Sequence, residues 1–170
     1  EFPDAVLLTL WMNSINLKAG ASDTPDAILA SSGYGLLPAF IDGMLDAAPP
    51  AMVFVDGCEN GYYMDSAEEY LRAAHEMRSW NGSAIRLVSP SNSAKYRQQV
   101  QAGFGFYLDM FLNEATNRYY RGPLNGSRLA RLERNLGFAR EAADEYVWVY
   151  GEQCRWWGQP LNVPKSVGQG

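Results

Sequence analysis

Histidine and cysteine are nearly missing from this 170-residue chain, which holds one His and two Cys. The lone His75 has no local partner for a metal site or a catalytic triad, so it reads as a structural or solvent-facing group. Cys58 and Cys154 are too few for a disulfide framework or a zinc site. A free buried thiol is the first reading of each, a disulfide the second and a nucleophile a distant third. No apolar run approaches the ~20 residues that a membrane-spanning helix needs, and no secretory leader is visible, so no membrane partner is expected. Basic residues are neither numerous nor massed: 14 Lys and Arg against 19 Asp and Glu give a net charge of −5. Nucleic acid, whose phosphates demand a basic footprint, is therefore not expected as a partner. Gly103 and Gly105 lack the Gly-Lys-Ser/Thr continuation of a phosphate loop. No cofactor and no metal is implied, and no internal repeat is visible.

What is present is apolar and aromatic. Hydrophobic residues make up 47% of the chain and charged ones 19%, which argues for a packed core and against disorder. Five Trp, ten Tyr and seven Phe supply core, and they also suit a surface that stacks on ring-shaped ligands. The length fits one domain over 1–170, with 158–170 read as an irregular tail. The chain opens on Glu1-Phe2 without Met, as a processed or excised piece or a cloning scar would. Localisation stays open, a secreted or extracytoplasmic one included. The Asn-Gly-Ser sequons at Asn81 and Asn125 are short enough to arise by chance.

Strand and helix signals alternate. The run from Ala5 to Met12 is almost wholly apolar, as a parallel strand covered on both faces is. A polar, glycine-containing stretch follows over about 13–33. Helical spacing then runs from Leu36 to Ala48 and stops at Pro49-Pro50. The second strand is Ala51 to Val55, closing at Asp56-Gly57. Ser66-Ala67-Glu68-Glu69 is a capping box opening the next helix. A loop with a short extended piece at 84–88 precedes a helix over about 93–102. The third strand is expected at Gly103 to Asp109, since two glycines one residue apart disfavour a longer helix. Ser127 caps a helix carrying Leu129, Leu132, Leu136 and Ala139, and Tyr146 to Tyr150 is the fourth strand. The fold class is α/β: four strand-helix units, less a final helix, around a parallel sheet.

In such folds sites gather where the strands' carboxyl ends open into loops. Three of the four strand ends carry acids there: Asp56 and Glu59, then Asp109, then Glu152. The first strand ends instead on Trp11 and Asn13. Tyr62, Tyr63, Trp156 and Trp157 cluster at the same end. Each acid alone is as readily a loop opener or helix cap. Several on one face, among aromatic rings, suit glycoside hydrolysis, in which one carboxyl protonates the leaving oxygen while another attacks or activates water. Glu152 is the best placed, between Gly151 and a pair of Trp. A rival reading is a non-catalytic carbohydrate-binding protein, whose rings bind while its acids only hydrogen-bond hydroxyls. A third is a structural fragment active only when assembled with another half.

The stretch from Tyr146 through Gly151, Glu152, Gln153 and Cys154 to Trp157 resembles the last barrel strand of uncharacterised glycoside-hydrolase-like (β/α)8 proteins. Phe54 to Tyr63 is similar to an earlier strand end in the same proteins. The resemblance makes the chain the C-terminal half of such a barrel, with carbohydrate as ligand. It also makes Glu152, with Asp56 or Glu59, the candidate acid/base or nucleophile. A half-barrel leaves two sheet edges open. It therefore implies a partner, either a second copy or a separate N-terminal half.

Overall fold

The computed structural model of the chain describes residues 2–20 and 23–153. Five strands and five α-helices follow along them in the order strand, two helices, strand, two helices, two strands, helix, strand, with short 3-10 turns between. β1 (Val6–Thr9), β2 (Val53–Asp56) and β3 (Val100–Ala102) form a parallel sheet in that order. β4 (Phe104–Tyr107) and β5 (Val147–Tyr150) form a second parallel pair. The fold is thus mixed α/β with two small parallel sheets. No barrel closes among the described residues, and β1 and β5 are end strands.

The two sheets meet at Gly103, the one residue between β3 and β4. Its amide donates to Asp56 O at 2.8 Å, and Gly105 N reaches Cys58 O at 3.4 Å, so contact with β2 and its outgoing loop continues past β3. A Cβ at position 103 would lie 2.6 Å from Val55 Cγ1 and 2.9 Å from Tyr146 O. Glycine is what lets this backbone pass so close to both neighbours.

Helix ends follow their capping chemistry. α1 (Pro25–Ser31) starts where Thr24 Oγ1 accepts Ala27 N at 3.3 Å, with Pro25 in the first turn. It falls inside the polar, glycine-containing stretch over about 13–33, which also holds a 3-10 turn at Ser14–Leu17. α2 (Leu37–Ala47) ends before Pro49-Pro50, as expected, and buries Leu37, Ile41 and Leu45. α3 (Ala67–Arg78) carries the expected capping box between Ser66 and Glu69. α4 (Ser93–Gln99) is shorter than expected. Val100 turns to φ −97, ψ 119 and begins β3, so the third strand run starts at Val100 and not at Gly103. A β-branched residue paired with Phe54 gains more as strand than as a last helical turn. The expected extended piece at 84–88 is instead a 3-10 turn, Ala84–Arg86, capped by the Ser83 hydroxyl. α5 (Arg128–Ala142) starts at Ser127, whose Oγ accepts Ala130 N at 3.1 Å. No described helix is long and apolar enough to cross a membrane.

Alternation along the strands sorts side chains to two faces. Phe54 joins Ile41, Leu45, Ile85 and Tyr96 in a core built with α2 and α4. Phe104 and Phe106 join Tyr70, Met77 and Ala139 in a second core with α3 and α5. Tyr70 meets Phe104 edge-on at 5.1 Å and stacks on Phe106 at 6.0 Å. Burial of each such ring stabilises the fold by about 1.5–3 kcal/mol. β1 departs from expectation: Val6 and Leu7 are 44% and 42% exposed, so an end strand stands where a strand covered on both faces was expected.

Asp65 fastens α3 to α5. It accepts from Arg131 Nε and Arg134 Nη2, each at 2.8 Å, and from Asn135 Nδ2 at 2.9 Å. The tail expected at 158–170 lies outside the described residues.

Candidate functional site

Loops leaving the carboxyl ends of the strands converge on a cleft of about 400 Å³. Glu59, Asn60, Tyr62 and Tyr63 come from the 3-10 turn after β2, and Asn13 from the loop after β1. Tyr107 and Tyr150 are the last residues of β4 and β5, and Glu152 lies two residues beyond. Tyr34 and Tyr119 complete the wall.

The turn after β2 is launched by Cys58, a buried non-glycine residue in the left-handed region at φ 36, ψ 73. Its strain is held by its neighbours: Cys58 N donates to Asp56 Oδ1 and to Met12 O, each at 3.0 Å. Burial first, then the nearby Asp56 charge, pushes the Cys58 thiol well up, which disfavours the thiolate that a nucleophile needs. Asn60 N then donates to Asn13 Oδ1 at 3.1 Å, joining the first two loops at the cleft. Asn13 is buried and reaches the Tyr34 hydroxyl through Nδ2 at 3.4 Å.

Glu152 sits between two phenols. Tyr150 Oη donates to its Oε1 at 2.7 Å and Tyr107 Oη to its Oε2 at 3.4 Å. The two rings stack at 5.6 Å and 23°. The hydrogen bond to Glu152, then partial burial, raises the Tyr150 phenol. Burial first, then the charges of Asp109 and Glu152, pushes Tyr107 up to about 12. Both phenols therefore keep their protons at neutral pH and donate. Tyr107 also meets Tyr62 at 5.6 Å and Tyr119 at 5.7 Å. Arg118 lies 4.3 Å over the Tyr119 ring, and Arg121 donates to the Tyr63 carbonyl, which pins the loop after β4 against the turn after β2.

Of the residues singled out in the sequence, Glu152, Glu59, Asn13, Tyr62 and Tyr63 are brought together at the cleft. Asp56 and Asp109 are not among its lining. Each is 1% exposed and spends its carboxylate on main-chain amides. Asp56 takes Ser14 N at 3.1 Å and Cys58 N at 3.0 Å, and burial pushes its carboxyl up to about 6. Asp109 takes Glu152 N at 2.9 Å. Trp11 packs edge-on against Phe40 at 5.1 Å instead of lining the cleft. Trp156, Trp157 and Cys154 lie outside the described residues.

Sequence reasoning missed Tyr34, Asn60, Tyr107, Tyr119 and Tyr150. The signal for Tyr107 is the strand period of two, which sends it to the face opposite Phe104 and Phe106, whereas Tyr150 follows only from its register with Tyr107. Tyr34 and Tyr119 ride on loops, where no periodicity points. No group of His, Cys, Asp or Glu suited to a metal ion occurs among the described residues. The chain matches no protein-family model, no curated protein and no solved structure in comparison with each.

Proposed function

We propose that the chain carries the working site of a glycoside hydrolase. The observation behind this reading is that two glutamates on separate strand-end loops, Glu59 and Glu152, open into one tyrosine-walled cleft. Glycosidic cleavage asks for such a pair and for ring faces on which sugars stack. Glu152, the acceptor of two phenol hydrogen bonds, takes the part of nucleophile or base. Glu59, exposed on the turn after β2, takes that of the acid. Asn13, Asn60 and the phenols not bonded to Glu152 offer hydrogen bonds to hydroxyls.

The same reading takes the chain as half of a (β/α)8 barrel. Its support is the parallel succession β1, β2, β3–β4, β5, together with apolar residues left exposed on both end strands: Val6 and Leu7 on one, Val149 on the other. A second copy or a separate half would cover them. Light scattering should then give at least twice the mass of one chain.

Glu152→Gln tests the activity. The variant should keep sugar affinity and lose turnover. A wild-type protein that binds sugar without turnover would instead favour the non-catalytic carbohydrate-binding reading.

A further inference from the structure

Glu152 owes its place to a residue 43 positions earlier in the chain. Asp109 lies two residues beyond β4, is 1% exposed and does not line the cleft, so its oxygens are out of reach of a ligand there. Its Oδ2 accepts the amide of Glu152 itself at 2.9 Å and that of Gln153 at 3.3 Å. Its carbonyl accepts Leu112 N at 3.0 Å and Asn113 N at 2.8 Å, which fixes its own loop. A second tie joins the same two loops, from Gln153 Nε2 to Asn113 Oδ1 at 2.6 Å.

We propose that Asp109 is a positioning residue: its buried carboxylate holds the main chain of Glu152 so that the Glu152 side chain meets Tyr107 and Tyr150 at the cleft. Amides bonded to a charged acceptor are held more firmly than those bonded to a neutral one, and two amides in succession fix the direction in which the loop leaves β5. Asp56 does the same at the end of β2. Its carboxylate takes Ser14 N, beside the cleft residue Asn13, and Cys58 N, beside Glu59. Two buried aspartates at strand ends thus hold the loops that carry the cleft's polar groups. The proposal rests on Glu152 as the working carboxylate, but the placement of Glu152 can be read without any activity.

The readout is the ionisation of Tyr150, followed by NMR of ring-labelled tyrosine and assigned with Tyr150→Phe. Asp109→Asn, Glu152→Gln and the double variant are compared, with thermal melts to confirm that each is folded. Glu152→Gln should lower the Tyr150 midpoint toward the ordinary tyrosine value. Asp109→Asn should lower it too, and most of that shift should vanish once Glu152 is already Gln, leaving only the smaller direct effect of the Asp109 charge on the phenol. An unchanged midpoint in Asp109→Asn, or a full additional shift in the double variant, overturns the proposal. If the protein is a hydrolase, Asp109→Asn should also reduce kcat roughly 100-fold with KM nearly unchanged, the effect of a small misplacement of a reacting group. Absence of hydrolysis in the wild type would overturn the hydrolase reading and leave the tyrosine result to decide the role of Asp109.

Discussion

Trp148 Nε1 donates to the Gly57 carbonyl at 2.7 Å, so one indole reaches from β5 to the loop leaving β2. To get there it crosses the face of Gly105, its register partner on β4, and rests against Tyr62 at 5.6 Å. The floor beneath the cleft depends on this indole and on the two glycines that make room for it. A Cβ at Gly105 would stand 2.5 Å from Trp148 Cζ2, and one at Gly57 would stand 2.9 Å from Trp148 Nε1.

Gly105→Ala should therefore destabilise the protein by about 1–3 kcal/mol, the usual cost of overpacking a filled interior. Urea unfolding measures it. Trp148→Phe trims the part of the indole that carries Cζ2, so the double variant should lose less stability than the sum of the single ones. An additive pair would show that the indole does not occupy this position in solution.

Much of this was readable beforehand, because the strongest signals are local. The capping box at Ser66–Glu69, the Pro49-Pro50 stop and the apolar runs of β2 and β5 each carry their own physical cause. The signal for α1 is equally local, in Thr24-Pro25-Asp26, but the polar stretch around it masks it. The boundary at Val100 was not local. Whether Val100–Ala102 ends a helix or begins a strand is decided by pairing with Phe54–Asp56, some 46 residues away. The same holds for the acids. Strand-end position alone does not separate Glu59 and Glu152, which reach the cleft, from Asp56 and Asp109, which turn inward onto amides contributed by other loops.

Asp56 should titrate near pH 6 by carboxyl-carbon NMR, since burial disfavours its charge. An unfolded aspartate titrates at about 3.9. The folded value is the higher one, so this group's favourable contribution is complete below about pH 4. It is lost as pH rises through 6, and the loss amounts to about 2–3 kcal/mol. Asp56→Asn should flatten that part of the stability–pH curve. A titration at the ordinary aspartate value would refute the burial argument.

Asp65 behaves in the opposite sense. The hydrogen bond from Arg131, against some burial, holds its carboxyl well below the usual range. Its contribution is therefore present above the unfolded value of about 3.9 and fades only as pH falls toward the lower folded value. Asp65→Ala should cost about 2 kcal/mol near neutral pH, since hydrogen bonds from two arginines and Asn135 are lost. The deficit relative to wild type should shrink in strong acid, as acid unfolding curves would record.

Tyr150→Phe removes the shorter of the two phenol bonds to Glu152 and leaves the ring stack on Tyr107 in place. Folding stability should change by no more than about 1 kcal/mol, because the site is exposed. Any turnover should fall while sugar binding stays close to that of the wild type. Equal losses of binding and turnover would mean that this hydroxyl serves the ligand and not Glu152.

The most direct measurement is reducing-sugar release by the wild-type protein and by Glu152→Gln, run in parallel with calorimetric titration of the same oligosaccharides. The account predicts release by the wild type, a loss of turnover of roughly 1,000-fold or more in the variant, and nearly equal affinities. Undiminished release by Glu152→Gln, or sugar bound without release by the wild type, would contradict it.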